Sequence, residues 1–317
     1  MTDAATITTG AATAAASDNP LAAGAALVDG QIVPIAEARI PITDTGFTRS
    51  DLTYDVVAVW GGAFFRLDNH LDRFERGCGK LRLDPGLNRG ELQSTLHELV
   101  RATGLREAYV DIICTRGTPP PGSRDPRQFR NRFYAFAIPY VWLLKWEERD
   151  TGMDAIIPRS VERISPRSID PTVKNFHWGD LTRGLYEAYD NGARFPVLLD
   201  GEGYITEGAG YNVFAYVDGE LLTPDRGALE GITRLSVMEL AREHGIPVRE
   251  ARIDEATFRR ADELFSATTS GGVMAITKLD GVPLGDGTAG PLTRRIRDLY
   301  WEAHSDLRYI TPIVYDA

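Results

Sequence analysis

The spacing of apolar residues changes repeatedly along the chain, and each change marks a predicted element. "GAALVDGQIVP" sets two apolar runs around Asp29-Gly30, a pair that favours a tight hairpin. "VVAVWGGAFFRL" repeats the pattern around Gly61-Gly62. In "LDNHLDRFERGCGKLRL", Leu67, Leu71, Phe74, Cys78 and Leu81 recur at helical spacing and predict an amphipathic helix. "GELQSTLHELVRATG" predicts a second one, stopped at Gly104. "EAYVDIICT" and "RFYAFAIPYVW" read as strands, separated by the Pro- and Arg-rich loop "RGTPPPGSRDPRQFRN".

The pattern resumes beyond the linker "LLKWEERDTG". "GMDAIIP" is strand-like, and "NFHWGDLTRGLYEAYDNG" predicts a helix ended by Asn191-Gly192. "FPVLLDGEGYITEG" and "YNVFAYVDGELLTP" are strands with Asp-Gly turns, followed by helices at "GITRLSVMELAREHG" and "EATFRRAD". "ELFSATTSGGVMAITKLDGVPL" reads as strand, turn and strand, and "GPLTRRIRDLYWEAH" as a last helix. Strands and helices interleave without strict alternation, so the expected class is α+β (mixed α/β) in two lobes. The expected division is a disordered tail over 1–20, a small N-terminal domain over 21–141, a linker over 142–152 and a larger C-terminal domain over 153–317.

Composition narrows the partners. The 317 residues carry a formal net charge of -10, which argues against nucleic acid or an anionic membrane as partner. Two cysteines, Cys78 and Cys114, are too few for a disulfide framework or a zinc cluster, and both read as small buried residues in a reducing compartment. No apolar run has the length of a membrane helix, and the Ala/Thr-rich first residues lack a basic leader, so a cytoplasmic protein is expected. The five histidines fall in no metal-ligand spacing, and neither GxSxG nor GxxxxGK[ST] occurs, so no metal is expected. His70 and His177 read as structural.

Candidate chemistry gathers in a few stretches. "SIDPTVKNFHWGDL" holds Lys174 beside Phe176 and Trp178. An amine that attacks a carbonyl must be neutral, and an aromatic surrounding favours the neutral form by desolvation. "YITEGAGYNVF" puts Glu207 between a strand and a Gly-rich turn. "EGITRLS" opens a helix at Gly231-Ile232-Thr233, where free backbone N–H groups favour a phosphate. "SATTSGG" adds the hydroxyls of Thr268, Thr269 and Ser270 in a turn that also suits an anion. Arg66 sits between a strand and a helix, where a guanidinium can aim inward. Taken singly, each of these is also compatible with a surface group or an ordinary cap or turn.

The order "FRLDNHLDR", "VKNFHWGDLTR", "TEGAGYN", "GITR" and "TTSGG" resembles the fold-type IV pyridoxal 5'-phosphate enzymes, which include branched-chain and D-amino acid aminotransferases, aminodeoxychorismate lyases and (R)-selective amine transaminases. The likeness runs from about Gly24 to the last helix. With "ARIPITDTGFTRSDLTYDVVAVW" and "PYVW", it looks closest to the (R)-amine transaminases. It implies a small α/β lobe, a larger β-barrel-like lobe and a homodimer with the active site at its interface. Lys174 would hold the cofactor as a Schiff base and act as the proton-moving base. Glu207 would pair with the pyridine nitrogen. Arg66, Ile232, Thr233, Thr268 and Thr269 would hold the phosphate. Tyr54, Val56, Tyr109, Asp111 and Trp178 would line the substrate pocket, with Trp60 shaping it, and Arg124 of the Pro/Arg loop, ahead of Arg127 and Arg130, would bind the keto-acid carboxylate.

Two departures mark the chain. Arg49 stands where that subgroup carries a histidine; facing inward it would admit carboxylate-bearing donors, and facing solvent or paired with Asp51 it would change nothing. Gly179 stands where the branched-chain enzymes have a tyrosine, against branched-chain activity. The expected activity is transfer of an amino group from an (R)-amine to pyruvate or a similar keto acid; the alternative is a D-amino acid transaminase or a lyase on the same scaffold.

Overall fold

A computed structural model describes residues 19–315; the expected tail over 1–20 therefore lies outside the described residues except for Asn19 and Pro20. The chain opens with the hairpin β1 (Ala25–Val28) and β2 (Gln31–Pro34), turning on Asp29 (φ 50°) and Gly30 (φ 78°). A short helix α1 (Thr45–Arg49) precedes β3 (Leu52–Trp60), which turns back through Gly61-Gly62 into β4 (Ala63–Phe65). Helices α2 (Leu67–Leu81) and α3 (Arg89–Thr103) follow, and α3 ends at Gly104 in the left-handed region (φ 72°), where glycine pays no Cβ penalty. Strands β5 (Ala108–Thr115) and β6 (Arg132–Pro139) complete this half.

The second half runs β7 (Met153–Ile156), α4 (Gly179–Asp190), β8 (Phe195–Leu199), β9 (Ile205–Gly208), β10 (Tyr211–Val217), β11 (Glu220–Pro224), α5 (Ile232–Glu243) and β12 (Val248–Ala251). It continues through α6 (Glu255–Arg259), β13 (Glu263–Thr268), β14 (Gly272–Leu279), β15 (Val282–Pro283), α7 (Pro291–Glu302) and β16 (Ile310–Pro312).

These strands form two sheets. The first has the order β16-β4-β3-β5-β6-β1-β2. One face of its centre packs on α2 and α3: Val57 and Val59 of β3 and Val110 and Ile112 of β5 join Leu71, Phe74, Leu96 and Leu99 in one buried core. The other face carries Tyr54 and Val56, with Tyr109 and Ile113 packed against them. Because β3 is covered on both faces, it reads as nine residues with little polar alternation. In the second sheet β10, β13, β14, β7, β8 and β9 follow one another and β9 pairs again with β10, which closes a barrel; β11 and β12 extend it. The fold is thus mixed α+β with a β-barrel.

The structure departs from expectation in three places. β16 leaves the C-terminal half and pairs antiparallel with β4 of the first sheet, so the expected unit 153–317 does not stay on one side. Its Thr311 and Ile310 lie opposite Phe64 and Phe65 and cover that otherwise open edge. The predicted helix from Asn175 starts only at Gly179; residues 173–178 are irregular, with bends at Val173 and Phe176. β12, parallel to β11, escaped the sequence reading because "VREARI" is too polar for an apolar run.

Candidate active site

Lys174 is placed by its backbone. Its carbonyl accepts from the Tyr54 N–H at 3.1 Å and from the Thr53 hydroxyl at 2.9 Å, which stitches the segment to β3. The Nζ lies 4.6 Å from the centroid of the Tyr54 ring, and that ring packs on Phe176 at 4.5 Å. Phe176 thus supports Tyr54 from outside, whereas Trp178 reaches the cavity wall.

The cavity has a volume of about 500 Å³ and lies between the first sheet and the barrel. Glu207 enters from the end of β9 and is buried. Its Oε1 accepts from Arg163 Nε at 3.0 Å and forms an ion pair with Nη2 at 2.9 Å, and its Oε2 accepts from the Leu229 N–H at 2.9 Å. Arg163 also donates to Asp180 at 2.6 Å. Burial raises the Glu207 pKa, while Arg163 and the Leu229 N–H oppose it. The site therefore holds a buried carboxyl ready for a cationic partner.

The opposite end is a cradle of donors. Helix α5 starts at Ile232 after the N-cap Gly231, whose lack of a capping side chain leaves the first N–H groups without one. Gly231, Ile232 and Thr233 line the cavity there, together with Thr268, Thr269 and Ser270 from the turn between β13 and β14. The walls are close: a Cβ on Gly231 would stand 2.0 Å from Asn212 Oδ1, and one on Gly210 3.2 Å from Trp178.

The arginine at this end is Arg73, on α2. It is buried and reaches the cavity. Its Nε and Nη2 each donate to Asp55 at 2.7 Å and its Nη1 donates to the Glu230 carbonyl at 3.0 Å, which leaves further N–H hydrogens of Nη1 and Nη2 for an anion. His70 Nδ1 is 2.8 Å from Asp55. Burial works against the Asp55 charge, but Arg73 and His70 together hold its pKa well below the usual carboxylate range. Burial keeps the His70 pKa low.

The expected phosphate arginine, Arg66, does not line the cavity. It adopts φ 53° at the strand–helix junction, and this turn carries its guanidinium to Glu239 of α5 and over the Tyr309 ring at 4.3 Å. Arg49 is exposed on α1 and borders a separate small cavity with Ser50 and His177, and Asp51 pairs with Arg116 instead. Arg124 is likewise exposed and does not reach the cavity; Arg127 pairs with Asp125. Trp60 packs into an aromatic cluster with Tyr140, Trp142 and Trp301 instead of lining the pocket.

Of the substrate-side candidates on β3 and β5, Tyr54, Val56 and Tyr109 line the cavity, with Phe136 and Ile138 from β6, and Asp111 does not. Asp111 lies directly opposite Val56 in the β3–β5 register, on the same face, buried, with its Oδ1 lacking any hydrogen-bond partner. Burial raises its pKa well above the usual carboxylate value, against the pull of Lys174.

Sequence reasoning missed Arg73 and Arg163. The signal for Arg73 was Asp55, an acid inside the apolar run "YDVVAVW", which demands a buried cation; His70 and Arg73 share a helix face three residues apart. Arg163, in the irregular "SVERISPRS", gave none.

Residues 52–279, well over half of the chain, match the family described as amino-transferase class IV, and the chain belongs to that family. It is a pyridoxal-phosphate-dependent aminotransferase of fold type IV. Over 278 residues it is 30% identical to a putative branched-chain-amino-acid aminotransferase of Methanocaldococcus jannaschii, covering 86% of this chain and 94% of that protein. The branched-chain-amino-acid aminotransferase of Salmonella typhimurium is 32% identical over 245 residues, 76% of this chain and 79% of that one. Among solved structures, the T.th. branched-chain amino acid aminotransferase with pyridoxamine 5'-phosphate superposes with a TM-score of 0.86 at 27% identity, over 92% of this chain and 99% of that one. The PLP form of the Thermobaculum terrenum enzyme gives 0.81 at 27%, over 94% and 100%.

The residues present fit the cofactor. A donor cradle stands at one end, a buried carboxyl at the other, and an amine beside the cavity between them. When bound, pyridoxal phosphate supplies an electron sink that lets an amino group pass between a donor and a keto acid.

Proposed function

We propose that this aminotransferase takes the amino group from an (R)-configured amine and delivers it to pyruvate or a similar keto acid. In this reading Lys174 would hold the cofactor through its carbonyl carbon and, once displaced there by the incoming substrate amine, would serve as the base that moves the proton at the substrate Cα. Glu207, held by Arg163, keeps the ring nitrogen protonated. Arg73, Ile232, Thr233, Thr268 and Thr269 hold the phosphate, and Trp178 closes one wall.

The substrate wall carries the amine reading. Tyr54, Val56, Tyr109, Phe136 and Ile138 present apolar and aromatic surface beside the carboxyl of Asp111. Among the described residues, Arg73 and Arg163 are the arginines lining the cavity, and both are engaged with carboxylates. This wall suits a donor whose substituents carry no carboxylate. The likeness of "TRSDLTYDVVAVW" to the (R)-amine subgroup supports the handedness.

A homodimer working in the cytoplasm belongs to the same proposal. Its support is the apolar surface of Ile40, Ile42 and Phe47, which are 47%, 76% and 64% exposed in one short segment. Light scattering coupled to size exclusion tests it, and a monomer at micromolar concentration refutes it.

A second reading, an amino-acid donor, is favoured by the named activity of the relatives. Half-reactions separate the two. (R)-1-phenylethylamine, its (S)-enantiomer, D-alanine and L-leucine are added separately to the yellow holoenzyme, and loss of its visible band is followed. Bleaching by the (R)-amine with the (S)-amine inert is expected. Faster bleaching by D-alanine or L-leucine, by more than about tenfold in kcat/KM, overturns the amine assignment.

A further inference from the structure

The segment joining the two sheets makes contacts that neither the barrel nor the first sheet requires. After β6, residues 140–143 run along the turn that carries Thr268, Thr269 and Ser270. The Tyr140 hydroxyl donates to the Thr269 carbonyl at 2.6 Å and accepts from the Gly271 N–H at 3.0 Å. The Leu143 N–H donates to the Ser270 carbonyl at 2.8 Å. Three consecutive residues of the turn are therefore held by a segment more than a hundred positions away. The Tyr140 ring is itself fixed edge-on against Trp60 at 5.4 Å and Trp142 at 4.9 Å. Gly271 (φ 142°) and Gly272 (φ 70°) have a backbone that L side chains rarely adopt, and the conformational freedom of two glycines is what outside bonds restrict in this turn. Val141, Trp142 and Leu143 also line the cavity, although the Tyr140 ring does not.

We infer that Tyr140 is a positioning residue for the cofactor's phosphate: its hydroxyl latches the 268–271 turn in the phosphate-holding shape and ties that shape to the strand end that walls the substrate. The inference rests on the placement of the phosphate proposed above. The hydroxyl is well suited to this task. One small group satisfies a carbonyl and an N–H of the same turn, so the turn cannot open without losing both bonds at once. Phenylalanine at this position keeps the ring and its packing and removes only the latch.

The test is a ratio of affinities measured on apoenzyme refilled with either pyridoxal 5'-phosphate or pyridoxal, which lacks the phosphate. Binding is followed by Trp fluorescence and by absorbance, independent of turnover. Tyr140→Phe is expected to weaken pyridoxal phosphate about tenfold, the scale of one or two lost hydrogen bonds, while pyridoxal changes by less than about twofold. In hydrogen exchange of the apoenzyme, amides of 268–272 are expected to exchange faster in the variant while those of β10 do not. An equal loss for both ligands, or no loss for either, overturns the latch. Thr233→Val is the control for the underlying placement. If it leaves the phosphate-to-pyridoxal ratio unchanged, the phosphate does not sit at this end and the latch falls with that placement. If it shifts the ratio and Tyr140→Phe does not, only the latch fails.

Discussion

The two sides of the cavity treat buried charge in opposite ways. At the cofactor end every buried acid is paired: Asp55 with Arg73 and His70, and Glu207 with Arg163, which also holds Asp180. Beside the substrate wall, opposite Val56, Asp111 is equally buried but keeps an unpartnered oxygen. A paired acid fixes the arginine beside it and prepares a site for one particular ligand; its partners hold Asp55 charged and oppose the upward push of burial on Glu207. A solitary buried acid is pushed toward its neutral form and can meet substituents of different kinds. The difference separates the part of the site that must hold one cofactor from the part that must distinguish among substrates.

Breaking the pairing at the cofactor end should have the largest effect. Arg73→Gln leaves Asp55 buried without its main partner, at a cost of about 3–5 kcal/mol in stability, read as a lower midpoint in urea unfolding. A midpoint shift near zero would mean that Asp55 does not depend on Arg73. Glu207→Gln should retain the cofactor while kcat falls on the order of 10²–10³-fold, because a neutral amide no longer stabilises the protonated ring nitrogen. Turnover close to wild type would place the carboxyl elsewhere.

A buried titratable group that is hydrogen-bonded but has no counter-charge among the described residues, His304, allows a test by pH. His304 stacks on Phe65 at 3.8 Å and donates its Nδ1–H to the Tyr300 carbonyl at 2.9 Å. Burial lowers its pKa from 6.5 to about 4. The unfolded chain therefore takes up this proton first. Below pH 6.5 the folded state loses stability progressively until about pH 4, by up to about 3 kcal/mol. Thermal melts at pH 7 and pH 4.5 should show a smaller acid loss for His304→Phe than for wild type. The smallest effect is expected at Asp111. If it is neutral, Asp111→Asn changes stability by no more than about 1 kcal/mol, since an amide replaces an acid of the same shape. A loss as large as that of Arg73→Gln would erase the contrast between the two sides.

The sequence carried much of this architecture. Asp-Gly and Gly-Gly pairs marked the hairpins because they supply positive φ, and the recurrence of Leu67, Leu71, Phe74 and Cys78 marked the face of α2 that enters the core. Lys174, Glu207, Ile232–Thr233 and Thr268–Thr269 line one cavity, a grouping that the order of their motifs implied through its family resemblance and that no single motif carried alone. Arg66 was misplaced for a related reason. A position between strand and helix says that a side chain is near an end of the sheet, but a left-handed φ at that residue decides which way it turns, and periodicity carries no trace of it. Asp111's solitude was equally hidden. Whether an acid finds a partner depends on what the neighbouring strands bring across, and β3 brings Val56 and β6 brings Phe136.

The return of β16 to the edge of β4 sets an order on the making of the molecule. Strand β4 emerges early in synthesis, but its neighbour on the outer side consists of residues 310–312. The first sheet therefore waits, with one border open, through the synthesis of the whole barrel. The two halves cannot mature strictly one after the other, because a segment translated after the barrel is the one that covers the open edge of the first sheet.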